Sequence, residues 1–187
     1  MTTEKIITAP FRASFPHVFR PASIPGTDSE PKFSISMMFP KNDPEAKKFI
    51  ARARKLVEEE TLAKWPKNAP KKLRSCIIDG DDEDEVDASD GQSAGFIIIK
   101  ATSTGRPEII EKNGDPCTPE TFYPGVWARA SVVFRAYDKG SNGVACHFQN
   151  FLKWKDDEPF GGGRTKAADD FANLVDDAPA QARQEGA

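Results

Sequence analysis

The stretch VWARASVVFRAY, residues 126–137, decides the fold because its side chains alternate in character with a period of two. One set is small or apolar throughout: Val126, Ala128, Ala130, Val132, Phe134 and Ala136. The other set is mostly aromatic, basic or polar: Trp127, Arg129, Ser131, Val133, Arg135 and Tyr137. Successive side chains of a β-strand point to opposite faces of the sheet, so we expect the first set in the core and the second set exposed.

Strand patterns also occur on both sides of this stretch. They cover residues 5–20, 32–39, 95–102, 107–112 and 144–154, each bordered by Gly, Pro, Asn or Asp. A helix is predicted over about residues 43–65, because Asp43 can cap the free amides, Pro44 suits the first helical position, and apolar residues then recur at intervals of three and four. The order of elements therefore predicts an all-β fold with one inserted helix.

The periodic patterns stop after Trp154, where the sequence DDEPFGGGRTKAADD begins. We therefore expect one folded domain over residues 1–163, which includes an exposed acidic loop at about residues 79–94. Residues 164–187 are predicted to form a flexible acidic tail, because they carry no pattern that would bury apolar surface.

The charge of the chain is unevenly distributed. The net charge is −3, but residues 79–90 hold eight acids and no base, and residues 167–187 hold five acids and one base. The rest of the chain has 25 bases and 16 acids, a balance of +9. A basic body with two segregated acidic segments is compatible with a nucleic-acid partner, although the average charge is not.

Several classes of protein are disfavoured. Cys76, Cys117 and Cys146 lie far apart and form no CxxC pair, so we expect reduced thiols and neither a disulfide framework nor a zinc site. The sequence shows no long apolar run and no secretory signal, which predicts a cytoplasmic protein without a membrane partner. It also lacks a nucleophile motif and a phosphate-binding glycine loop, so we predict neither an enzyme nor a bound cofactor.

The outer side of residues 126–137 has the composition of a sequence-neutral site for single-stranded DNA. Bases stack on aromatic rings for about 1–3 kcal/mol each and cations neutralise phosphates, and neither contact reads the base. Aromatic and basic residues near other strand edges extend the set. The predicted DNA-binding residues are Lys32, Phe33, Lys41, Lys100, Tyr123, Trp127, Arg129, Arg135, Tyr137, Lys153 and Trp154. The alternative is an ordinary sheet face, covered by a helix or loop, whose arginines pair with acids.

The acidic run at residues 79–90 supports a competing interpretation. Clustered carboxylates can bind Mg²⁺ or Ca²⁺ and serve a metal-dependent nuclease. The run does not fit an EF-hand, because its sixth residue is Asp84 where Gly is needed and its twelfth is Asp90 where Glu is needed. Nuclease carboxylates also usually come from separate rigid strands. We therefore expect a solvated loop and no metal site.

The chain resembles a family of bacteriophage single-stranded DNA-binding proteins first catalogued as a domain of unknown function. The resemblance is carried by SFPHVFRP (14–21), KFSISMMFPK (32–41), DGD (79–81), residues 96–103, YPGVWARASVVFRAY (123–137) and residues 143–162. It implies a five-stranded OB-fold barrel with its helix between the second and third strands. It also implies a protein that coats single strands in phage DNA replication, recombination or repair, in the cytoplasm of the infected bacterium. A phage interaction protein that does not bind DNA is the alternative from another class.

The acidic tail is predicted to be regulatory. Its candidate residues are Asp169, Asp170, Phe171, Asp176 and Asp177. A tethered polyanion acts at high effective concentration, so we expect the tail to compete with DNA for the basic body. Replication or recombination proteins are the partners expected to bind it.

Overall fold

The computed structural model describes residues 4–23, 30–82, 84, 93–160 and 171–174. Within these residues the chain forms one helix and nine strands. In chain order they are β1 (Ile6–Ile7), β2 (Phe11–Ala22), β3 (Lys32–Pro40), α1 (Pro44–Lys64), β4 (Arg74–Ser75), β5 (Ile77–Asp79), β6 (Phe96–Ser103), β7 (Glu108–Ile110), β8 (Trp127–Tyr137) and β9 (Gly143–Lys155). The expectation of a mostly β protein with one inserted helix is confirmed.

Helix α1 begins and ends where the sequence predicts. The Asp43 side chain accepts a hydrogen bond from the backbone N–H of Ala46 at 2.8 Å, which satisfies one of the free amides at the helix start. The helix ends at Lys64, just before Trp65 and Pro66. Its buried side is made of Ala46, Phe49, Ile50, Ala53 and Leu56, and this side packs into the core.

Five long strands carry the sheet. Strands β2, β3 and β6 pair in an antiparallel series, β6 pairs in parallel with β9, and β9 is antiparallel to β8. Strand β8 also pairs with β2, through Phe11 opposite Ala128 and Arg12 opposite Trp127. Each of the five strands therefore pairs with two of the others. The short strands β1, β4, β5 and β7 attach to their edges.

The alternation along β8 is confirmed as the organising feature of the core. Val126, Ala128, Ala130, Val132 and Phe134 are buried, and Ala136 is partly buried against them. Val133 differs from the prediction, since it lies opposite His147 on β9 and is only 6% exposed. Phenylalanine rings fill much of the interior: Phe11, Phe39, Phe122, Phe148 and Phe151 are fully buried.

Much of the two acidic segments lies outside the described residues. This holds for residues 83 and 85–92 of the predicted loop, and for Asp169, Asp170, Asp176 and Asp177 of the predicted tail. Residues 171–174 form a turn in which Phe171 is 52% exposed. No helix among the described residues is long and apolar enough to cross a membrane. The three cysteines are free thiols, as expected.

Candidate nucleic-acid interface

The structure divides most of the predicted DNA-binding residues between two regions. The first, which we call the open face, lies on the outer side of β2, β3, β6, β8 and β9 and comprises His17, Lys32, Ser34, Ser36, Lys100, Thr102, Arg135 and His147. The second, which we call the acid-lined cluster, lies where β8 begins and β9 ends. It comprises Arg12, Tyr123, Trp127, Arg129, Lys153 and Trp154 together with Glu45, Asp156 and Asp157.

The open face follows from the register of neighbouring strands. His17 of β2 lies opposite Ser34, Ser34 lies opposite Thr102, and Thr102 lies opposite His147. These residues alternate along their strands with buried ones, so they occupy the outer side of the sheet. A row of hydroxyl and imidazole groups therefore crosses four strands.

Cations lie on both sides of this row. Lys100 is opposite Ser36, Lys32 precedes Ser34 by two positions, and Arg135 pairs with Ala145, two positions before His147. Lys32, Lys100 and Arg135 are exposed. Among the described residues none of the three belongs to a salt bridge. Their charges are thus available to an anionic ligand.

The pKa of His147 lies below its ordinary value, chiefly because the ring is partly buried. Burial of the ring is the main cause that lowers its pKa below 6.5, and the nearby charges of Arg135 and Lys32 lower it further. A hydrogen bond with the backbone of Thr102 opposes these effects. The neutral imidazole is therefore favoured while the face carries no anion.

In the acid-lined cluster two of the three aromatic groups, Tyr123 and Trp127, already have acidic partners. The indole Nε1 of Trp127 donates to Asp157 Oδ2 at 2.7 Å, and the Tyr123 hydroxyl donates to Asp156 Oδ1 at 2.8 Å. Lys153 also pairs with Asp156, with 2.8 Å between Nζ and Oδ1. The hydrogen bond from Trp127 lowers the pKa of Asp157, and the one from Lys153 lowers the pKa of Asp156. Both carboxylates are ionised at neutral pH, so they neutralise their neighbours.

The chain after β9 is held against the start of β8 by backbone contacts. Arg12 donates from Nε to the Gly125 carbonyl at 3.0 Å and from Nη2 to the Glu158 carbonyl at 2.6 Å. The N–H of Phe160 donates to the Pro124 carbonyl at 3.0 Å, and Arg12 lies 4.3 Å from the Phe160 ring centroid. A Cβ on Gly125 would come within 2.7 Å of the Glu158 carbonyl oxygen, so only glycine permits this approach.

Arg129 and Trp154 form the other half of the cluster. Arg129 Nη2 lies 2.8 Å from Glu45 Oε2 at the start of α1, and its Nη1 donates to the Thr8 carbonyl at 3.3 Å. Two cations lie over the Trp154 ring. The guanidinium carbon of Arg129 is 4.3 Å from the ring centroid, and the ammonium nitrogen of Lys112 is 4.0 Å from it. These contacts join β8, β9 and α1 and leave Trp154 with cations as neighbours.

Three predicted residues lie outside both regions. Phe33 is 7% exposed and packs in the core, so its ring is not presented to a base. Tyr137 ends β8 opposite Gly143, where an added Cβ would come within 2.9 Å of the tyrosine hydroxyl. The Nζ of Lys41 lies 2.6 Å from Asp79 Oδ1 and 2.6 Å from Asp81 Oδ2. These hydrogen bonds raise the pKa of Lys41. His17, Thr102 and His147 are not among the predicted binding residues, although each lies next to a buried residue in its strand.

The DGD motif at residues 79–81 has a structural explanation. Asp79 and Asp81 bind the Lys41 ammonium group, and Asp81 Oδ1 also accepts from the Gly95 N–H at 3.1 Å. A Cβ on Gly80 would come within 2.0 Å of the Ser93 carbonyl oxygen. The motif thus joins the two ends of the acidic loop. In the part of the chain that the structure describes, no group of three metal-ligating side chains is present.

Comparison with known proteins agrees with this architecture. A sequence model of the family described as Enterobacter phage Enc34, ssDNA-binding protein, matches residues 4–182. Protein p50 of Acyrthosiphon pisum secondary endosymbiont phage 1 is 27% identical over 174 residues, which cover 87% of this chain and 90% of that protein. The structure of the bacteriophage Enc34 single-stranded DNA-binding protein in complex with ssDNA is 26% identical, with a TM-score of 0.70 and coverage of 84% of this chain and 89% of that one. The gp2.5 protein of bacteriophage T7 shares the fold, with a TM-score of 0.61, 15% identity and coverage of 94% and 97%.

Proposed function

The chain belongs to the Enc34 ssDNA-binding protein family, and from this premise we propose that it binds single-stranded DNA through the open face, without preference for sequence. The main support for this site is a set of three exposed cations, Lys32, Lys100 and Arg135. They form no salt bridge among the described residues. They flank a row of hydroxyl groups that can donate to phosphate oxygens. Such contacts position a DNA backbone but carry no base information.

We further propose that the five long strands form an OB-fold barrel. Their pairings run in a circuit from β2 through β3, β6, β9 and β8 back to β2, although β2–β8 and β6–β9 are joined by only two residue pairs each. OB-folds bind oligonucleotides on the face of their second and third strands. Counting only the long strands, these are β3 and β6, which carry Lys32, Ser34, Ser36 and Lys100. The open face is therefore where an OB-fold would bind DNA.

The acid-lined cluster has a structural role in this proposal. A phosphate at Trp127 or Lys153 would have to displace Asp157 or Asp156 from hydrogen bonds of 2.7 and 2.8 Å. The two acids instead connect the end of β9 to the start of β8. The cluster thus stabilises the strand ends, whereas the open face binds the ligand.

In the cell the protein would protect transient single strands during phage DNA replication, recombination or repair, in the cytoplasm of the infected host. It acts by binding and not as an enzyme. The acidic tail would compete with DNA for the open face and offer a docking segment to replication or recombination proteins.

A salt titration of binding to a fluorescent oligonucleotide tests this function. We expect affinities that vary little among mixed sequences and fall steeply with salt, because cation release drives phosphate binding. Absence of binding at low salt would favour the interaction-protein alternative. Degradation of the oligonucleotide on adding Mg²⁺ would favour the nuclease alternative.

A further inference from the structure

Phe15 combines an exposed ring with a strained backbone. Its side chain is 61% exposed, and its φ of 46° lies in the left-handed region that residues with a Cβ rarely adopt. It is the one non-glycine residue with positive φ in the described ranges. A glycine at this position would adopt the positive φ without strain, and a buried phenyl ring would gain stability from the hydrophobic effect. Phe15 has neither advantage. Strained residues of this kind cluster at ligand sites.

The strain arises from a bulge in β2. Ser14 pairs with Ser36 and His17 pairs with Ser34, so Phe15 and Pro16 together oppose the single residue Ile35. The extra residue breaks the alternation that would otherwise turn every second side chain into the core. Bulges of this kind re-aim a side chain. Here the result is a phenyl ring directed to solvent while Ile35 stays buried.

We propose that Phe15 is a stacking platform for a base of the bound single strand, an inference that rests on the function proposed above. The bulge lies beside Ser34 and Ser36, and Lys100 lies opposite Ser36 on the next strand. Neighbouring strands are about 4.8 Å apart, so Lys100 is roughly 10 Å from the strand of Phe15. A base on the phenyl ring would thus lie within about two strand spacings of Ser34, Ser36 and Lys100.

Four other aromatic side chains near the strands are less available to a base than Phe15. Phe33 is buried, and Tyr123 and Trp127 donate hydrogen bonds to acids. Trp154 is bordered by Arg129 and Lys112. Stacking needs only the π-face of a base, so an exposed phenyl ring would add affinity without adding sequence preference.

The test compares Phe15→Ala, Phe15→Trp and Phe15→Gly with wild type, using a fluorescein-labelled oligothymidylate at several salt concentrations. Leu62→Ala is the matched control, because Leu62 is a similarly exposed apolar residue, 57%, on α1. We expect Phe15→Ala to weaken binding by about 5- to 100-fold with an unchanged salt slope, since stacking is lost and phosphate contacts are kept. Phe15→Trp should retain affinity and gain tryptophan quenching on binding.

Phe15→Gly separates a binding role from a folding role. It should weaken binding as Phe15→Ala does, yet melt at a temperature no lower than wild type, because glycine accepts the positive φ. Wild-type affinity in both Phe15→Ala and Phe15→Gly would overturn the assignment while leaving the proposed function intact. A change in oligomeric state with unchanged affinity would also overturn it, in favour of a contact between copies. Failure of wild type to bind at the lowest salt would reject the proposed function itself.

Discussion

The open face and the acid-lined cluster each contain an arginine of β8, but they differ in the acids around them. Arg129, near the start of β8, is 2.8 Å from Glu45, and Trp127 donates to Asp157. Arg135, six positions after Arg129 on the same side of β8, is exposed and has no salt bridge among the residues that the structure describes. Strand β8 therefore contributes one arginine that is paired with an acid and one that is available to an anionic ligand.

This difference shows that basic and aromatic residues of similar composition can lie with or without acidic neighbours in the same sheet. An anionic ligand gains most where cations lack internal counter-charges, because a paired cation must first lose its partner. The acids that pair with the cluster are Asp156 and Asp157 after the end of β9 and Glu45 at the start of α1. Variants that change each region separately test this difference.

The largest effect is expected from removing the three cations of the open face. The combined variant Lys32→Ala, Lys100→Ala and Arg135→Ala should lower the salt slope by about 2, since each single-strand phosphate contact contributes about 0.7. That slope corresponds to a loss of affinity of about 100-fold near 0.1 M salt. Measurement is by fluorescence anisotropy across a salt series.

The matched control for this variant carries the same loss of charge on the helix. Lys47, Lys48 and Lys55 of α1 are exposed, and their combined replacement by Ala should change the affinity by less than about threefold because charges distant from the ligand are screened. Equal losses in the two triple variants would show that net charge, and not the open face, determines binding.

In the acid-lined cluster the expected effect falls on stability. Trp127→Ala removes a half-buried ring and its hydrogen bond to Asp157, so the free energy of unfolding should decrease by about 1–3 kcal/mol. The affinity of the folded protein should stay within about twofold of wild type. Urea denaturation and oligonucleotide titration on the same sample measure both. A stable variant that has lost DNA binding would move the site to the cluster.

A smaller effect concerns the pH dependence of binding. Bound phosphates would offset the charges of Arg135 and Lys32 and so raise the pKa of His147, which lies below 6.5 in the free protein. Because the bound state then takes up a proton, affinity should rise by about 3- to 10-fold as the pH falls from about 8 to about 5.5. His147→Gln should remove most of this rise. His17→Gln, which alters the imidazole at the other end of the row, is the control.

The smallest effect is expected from the tail. A chain that ends at Lys166 lacks five acids and one base, which changes the net charge from −3 to +1. Its affinity for single strands should increase at low salt and approach that of the full chain at physiological ionic strength, where the Debye length is roughly 8 Å. Equal affinities at the lowest salt would leave the tail without a competitive role.

The sequence predicts local elements well because their signals are local. Helix α1 follows from the Asp43 cap and its apolar spacing, and the buried side of β8 follows from period two. The neutralisation of the cluster could not be predicted in the same way. Trp127 meets Asp157 thirty positions later, and Arg129 meets Glu45 eighty-four positions earlier. Such pairs depend on how the strands are arranged in space.

The exposure of Phe15 could not be predicted from period two, for a different reason. One extra residue beside Pro16 shifts the alternation of β2, so period two assigns the wrong side to the positions beyond it. A proline within a strand pattern is nevertheless a recognised sign of a bulge. The row of hydroxyl groups could not be predicted, because Ser34, Ser36 and Thr102 are neither charged nor aromatic. They are brought together only by the register between strands.

Lysine footprinting tests most directly where the DNA lies. The protein is acetylated briefly with and without a saturating oligonucleotide, and the modification of each lysine is measured by mass spectrometry. Lys32 and Lys100 represent the open face, whereas Lys155, which lies 5.0 Å from the Trp127 ring centroid, and Lys112, which lies 4.0 Å from that of Trp154, represent the acid-lined cluster. We predict that DNA protects Lys32 and Lys100 and leaves Lys112 and Lys155 as reactive as before. Protection of Lys112 and Lys155 with Lys32 and Lys100 unchanged would contradict the account.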